Sequence, residues 1–95
     1  STAREQLEAR RYPALKRGHV LASGHLYLPG ALTAGYDSGT LGQFLRLRNP
    51  ENGLEVTVLL NDRVRGKGLW LSDAAADALG LPDRITPVEL LSTPR

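Results

Sequence analysis

Residues 58–72, VLLNDRVRGKGLWLS, run three apolar side chains directly into Asn61, Asp62 and Arg63. Asp62 is open to three readings: a turn residue, an ion-pair partner or a catalytic carboxylate. In a regular strand Val58, Leu60 and Asp62 share one side, which would aim the acid at a partly desolvated groove. A desolvated carboxyl favours the protonated form that a general acid needs, whereas a cationic neighbour favours the ionised form. Arg63, Arg65 and Lys67 follow closely in sequence, although alternation turns Arg63 to the opposite face.

Other chemistry-bearing residues are scattered. His25 and Tyr36 lie in a glycine-rich region and can hydrogen-bond a polar ligand; a histidine can also carry a proton. Each is equally readable as an ordinary surface or half-buried residue. His19, His25 and Asp37 lack the spacing of a metal site, so no metal and no cofactor is expected. Trp70, the single tryptophan, stands between Leu69 and Leu71 and therefore faces away from them. It suits either a core or a sugar-stacking role, with its indole N–H free to bond. A glycine-rich phosphate loop, a GxSxG elbow and a nucleophile beside its base are all absent from the sequence.

The elements that must position these residues are short. Ninety-five residues, 41% of them hydrophobic and 23% charged, make one small core, and ten glycines with six prolines imply many turns. The first ten residues, STAREQLEAR, carry a capping-box pattern, Thr2 with Glu5, and are read as a lead-in open to a short helix, marginal at that length. Glycines at 24, 30, 35, 39 and 42 then separate short strands. FLRLRNPENGLEVTVLLND predicts a hairpin turning at Asn52-Gly53, with Leu45 and Leu47 on one face and Arg46 and Arg48 on the other. SDAAADALGLP predicts a brief helix capped by Ser72 and stopped by Gly80 and Pro82, and ITPVELLS a last strand. An all-β barrel or sandwich of five to seven strands around one small helix fits this order.

Charge and composition narrow the partners. The formal net charge is +2, with basic clusters at Arg10, Arg11, Lys16 and Arg17 and at Arg63, Arg65 and Lys67. They give a mild attraction to anions, but no aromatic platform is interleaved with them, so nucleic acid is not expected. There is no cysteine, hence no disulfide or thiolate metal site, and no apolar run reaches the ~18 residues of a transmembrane helix. A monomer is expected.

The stretch from about Arg11 to Ser92 resembles the rare lipoprotein A (RlpA)-like double-psi β-barrel, a family of septal and cell-wall proteins that includes lytic transglycosylases and is distantly similar to expansins. ASGHLY, ALTAG, LGQFLRLRNPENGLEVTVLLNDR, LSDAAADALGL and PVELL fall in the family's order. The resemblance implies a six-stranded double-psi barrel over residues 11–95 after a lead-in over 1–10, and an envelope location. It sets Asp62, within NDR, at the family's active-site aspartate. Around it the family pattern is altered: His25 replaces the glutamate after ASG, Tyr36 a histidine, and Trp70 the aspartate before LS. Tyr12 is kept but precedes Pro13 rather than glycine, and the segment after Arg63 is shorter and lacks a proline.

Three functions follow from these residues. The first is a divergent barrel that holds peptidoglycan glycan strands with weak or no cleavage, through Tyr12, His25, Tyr36, Asn61, Arg63 and Trp70. The second is a lytic transglycosylase with Asp62 as sole general acid and base. The third is an interaction module for another envelope protein.

Overall fold

The computed structural model describes residues 5–14, 17–66 and 68–91. Six strands, β1 (Glu5–Arg11), β2 (Thr33–Gly35), β3 (Phe44–Arg48), β4 (Glu55–Asp62), β5 (Leu69–Leu71) and β6 (Thr86–Leu90), surround one helix, α1 (Asp73–Ala78). They close in the order β1-β5-β2-β4-β3-β6. β1 with β5 and β2 with β4 are parallel; the other pairings are antiparallel. The expected strand-rich barrel with one short helix is therefore what the chain forms.

Alternation builds the core. Leu45, Leu47, Val56, Val58 and Leu60 point inward from the β3–β4 hairpin and meet Leu69, Leu71 and Val88. Each such fully buried aliphatic side chain contributes about 1.5–3 kcal/mol relative to exposure. Outward residues pair by charge: Arg46 with Glu55 at 2.8 Å, and Arg48 with Glu89, its register partner on β6, at 3.2 Å. The hairpin turn uses Gly53 at φ +78°, a left-handed conformation that glycine adopts without a Cβ penalty.

The helix is fixed at both ends by side chains from elsewhere. Ser72 Oγ accepts the Ala75 N–H at 3.2 Å as N-cap and also the Thr33 N–H at 3.3 Å, which fastens the helix start to β2. At the other end Asn49 and Asn52, from the hairpin turn, each donate to the Leu79 carbonyl, at 2.8 and 3.1 Å. Arg11 bridges the flank, reaching Asp73 at 3.3 Å and Asp77 at 2.8 Å.

The lead-in expectation is corrected for the residues described: Glu5 to Arg11 form a strand, not a helix. Thr2 lies outside the described residues. Leu7 and Ala9 alternate inward, and the segment is paired on both sides, with β6 from Glu5 to Ala9 and with β5 from Ala9 to Arg11. Two ladders of backbone hydrogen bonds outweigh the helix preference of Glu, Gln, Leu and Ala. Gly68 seals the junction: at φ +120°, a Cβ there would lie 2.6 Å from the Glu8 carbonyl oxygen.

A chain beginning at Arg11 should consequently fail to fold, because β5 and β6 would each lose a neighbour. Far-UV circular dichroism and urea titration should show no cooperative transition; a normal transition would place the barrel's start after β1.

Candidate functional site

The register of β2 against β4 decides where Asp62 points. Ala34 faces Leu60, yet Gly35 faces Asp62, so Asn61 is an extra residue in a β-bulge. Paired residues share a face of the sheet. Ala34 and Leu60 face the core, and Asp62 therefore shares the outer face with Gly35 and with Trp70, which pairs with Gly35 from the other side. The expectation that Val58, Leu60 and Asp62 line one side is corrected by this bulge.

Outside the barrel wall Tyr12, Leu21 and Tyr27 form a second, smaller apolar cluster with Trp70 packed on it. The Tyr12 ring is 4.7 Å from that of Tyr27 and 5.7 Å from that of Trp70, both tilted. Asp62 sits at the edge of this cluster, 7% exposed. The Tyr12 hydroxyl donates to its Oδ2 at 2.7 Å and the Ala22 N–H to its Oδ1 at 2.9 Å. Gly35 is required beneath them: a Cβ there would collide with the Tyr12 hydroxyl and lie 2.9 Å from Val64. Burial first, then the hydrogen bond and charge of Asp62, hold the Tyr12 phenol protonated far above its ordinary range.

Tyr12, Asp62, Arg63, Val64, Arg65 and Trp70 line a cavity of about 360 Å³. Four of the candidates drawn from the sequence thus meet at one place. Arg63 contributes its stem, while its guanidinium donates to the Tyr36, Ser38 and Gly39 carbonyls and ties down that loop. Three candidates lie elsewhere. Tyr36 faces the barrel core, with its hydroxyl 3.4 Å from Glu5 Oε1, and borders a separate cavity with Glu8 and Asp37. His25 is exposed on a tight turn, its backbone N–H donating to Ser23 Oγ. Asn61 is buried, its carbonyl accepting the Ser23 N–H and its Oδ1 without a partner among the described residues. Among the described residues there is no cluster of metal-ligating side chains, and no helix is long and apolar enough to cross a membrane.

Sequence reasoning missed the Ala22 amide, Gly35 and Tyr27. Only Gly35 left a readable trace, as a glycine inside a strand, which commonly marks a close approach.

The chain is 37% identical over 68 residues to the endolytic peptidoglycan transglycosylase RlpA of Yersinia pestis, covering 68% of this chain and 19% of that protein. It is 39% identical over 67 residues to the probable endolytic peptidoglycan transglycosylase RlpA of a Nostoc species, covering 67% of this chain and 18% of that protein. The chain thus spans under a fifth of the length of these curated relatives. No family model matches it. With the closed six-stranded barrel, these similarities make the chain an RlpA-like barrel domain.

Tyr12→Phe removes the donor to Asp62 Oδ2 and should cost about 1–3 kcal/mol in urea unfolding. The folded Tyr12 pKa is raised above its ordinary value of 10.0, so its contribution is complete below about pH 10 and is lost as pH rises further, where unfolded chains release the phenol proton first. The urea midpoint should fall above that pH, and less steeply in Tyr12→Phe. Burial also raises Tyr27 and Tyr36 and leaves a residual slope. Equal slopes in both proteins would exclude Tyr12 as the cause.

Proposed function

We propose that this RlpA-like barrel holds a peptidoglycan glycan strand against its Asp62 face in the bacterial envelope, and cleaves it weakly or not at all. One observation carries the reading: Asp62 and Trp70 share a cavity in which both carboxylate oxygens already accept hydrogen bonds and no second carboxylate is present among the lining residues. Ordinary glycoside hydrolysis divides its work between two carboxyl groups. A half-buried indole beside a polar residue suits a sugar, whose C–H face stacks on the ring while its hydroxyls bond nearby. In this reading Asp62 accepts a sugar hydroxyl rather than delivering a proton.

The second reading, a lytic transglycosylase, is favoured by Asp62 standing within the NDR segment of the resemblance and by the activity in the relatives' names. There the sugar's own 6-hydroxyl attacks, leaving a 1,6-anhydro end. One carboxyl then suffices in principle: Asp62 would protonate the departing oxygen and subsequently take the hydroxyl proton. In the structure the two Asp62 oxygens are instead held by donors from Tyr12 and Ala22.

Purified sacculi separate the two. Retention of the protein on the insoluble sacculus, weakened by about tenfold in Trp70→Ala and without soluble products, is expected from loss of one stacked sugar. Anhydro-muropeptides that appear by mass spectrometry and vanish in Asp62→Asn would establish cleavage. Neither retention nor products would reject both and leave an envelope interaction module.

A further inference from the structure

The cavity at Asp62 shares one wall residue, Tyr12, with a second cavity. That larger cavity, of about 680 Å³, is bordered by Arg10, Arg11, Asp83 and Arg84. Arg10 is the register partner of Trp70 in the parallel β1–β5 pairing, so both side chains project from the same outer face. The Arg10 guanidinium carbon lies 5.3 Å from the centre of the Trp70 ring.

We propose that Arg10, held on Trp70 where the two cavities meet, binds a carboxylate of the ligand and makes the groove select anionic over neutral sugars. The inference rests on the glycan reading above and adds the chemical class of the sugar.

A guanidinium held over an indole by cation–π attraction keeps N–H donors for a further partner. Two such donors match the two oxygens of a carboxylate. Among the described residues Arg10 makes no ion pair, unlike its neighbour Arg11, which takes both Asp73 and Asp77 on the same cavity wall. The remaining acid on that wall is Asp83, and Arg84 lines the same cavity. Stacking also restricts the long arginine side chain before the ligand arrives, which lowers the ordering cost on binding. A sugar over Trp70 would thus place its acidic substituent within reach of a cation already oriented.

In peptidoglycan such a carboxylate has two sources: the lactyl group of muramic acid once its peptide is removed, or the peptide itself. The test is a calorimetric titration with three soluble probes: peptide-free glycan strands, peptide-bearing strands, and neutral N-acetylglucosamine oligomers. The native chain should bind one of the anionic probes about tenfold more tightly than the neutral one, as one charged hydrogen-bonded pair would give. Which of the two binds more tightly identifies the source. Arg10→Gln should abolish this preference without changing affinity for the neutral oligomer, and Arg10→Lys should restore it partly through charge alone. Arg46→Gln, which removes a cation on β3 remote from the cavity, should change nothing, and urea midpoints should confirm that each variant folds.

Equal affinity of the native chain for all three probes, or an unchanged preference in Arg10→Gln, would overturn the role of Arg10 while leaving glycan binding intact. Binding of none of the three would overturn both.

Discussion

One extra residue in β4 sets the chemistry of this barrel. Without the bulge at Asn61, Asn61 would face Gly35, and Asp62 would turn inward among Leu45, Val58 and Leu60, where an uncompensated carboxylate costs several kcal/mol. With it, the strand contributes apolar residues to the core up to Leu60 and then presents Asp62 outward, beneath Tyr12. The bulge leaves the Asn61 Oδ1 buried and without a partner among the described residues, a local cost the fold accepts while Asn61 and Asp62 both anchor the turn that carries Ala22 and Ser23. Bulges of this kind commonly re-aim a side chain beside a functional groove.

The outward acid is held by a second small core. Tyr12, Leu21 and Tyr27 bury apolar surface outside the barrel, and the Tyr12 hydroxyl reaches from that cluster to Asp62. The Tyr27 hydroxyl accepts the Asp73 N–H at the start of α1, so the cluster connects the helix, the glycine-rich loop and the end of β4. Gly35 permits the approach by having no Cβ. Changes at Gly35, Tyr12 or the Ala22 turn therefore act on Asp62 although none of them belongs to the sequence segment that contains it.

The local elements were readable because their signals are local. The hairpin declared itself through alternation and Asn52-Gly53, the helix through Ser72 and Gly80, and Trp70 through its flanking leucines. β1 was misread because its inward positions are only Leu7 and Ala9, too few to announce a strand, while its composition favours helix; its pairing comes from β5 and β6, distant in sequence. Tyr36 and Asp62 were assigned to one groove by their places in the family pattern. In the structure the path from Gly35 turns Tyr36 inward and the bulge turns Asp62 outward, so the barrel wall separates them. Register is a property of two strands together, and the bulge residue Asn61 carries no mark of it within its own segment.

The basic residues carry the same lesson about partners. As a sequence, the pair Arg10–Arg11 is one patch of positive charge; in the barrel it divides. Arg11 is held by two aspartates and the Leu81 carbonyl and serves the helix. Arg63, next to Asp62 in sequence, reaches the carbonyls of the 36–39 loop and leaves Asp62 to Tyr12 and Ala22. Arg10 lies over an aromatic ring. A net charge of +2 says little about ligands because it counts these cations alike. The capacity to meet an anion depends on which of them lies beside a cavity without an acidic partner, and among the described residues Arg10 makes no ion pair, lines a cavity and sits over the aromatic ring that shares a second cavity with Asp62.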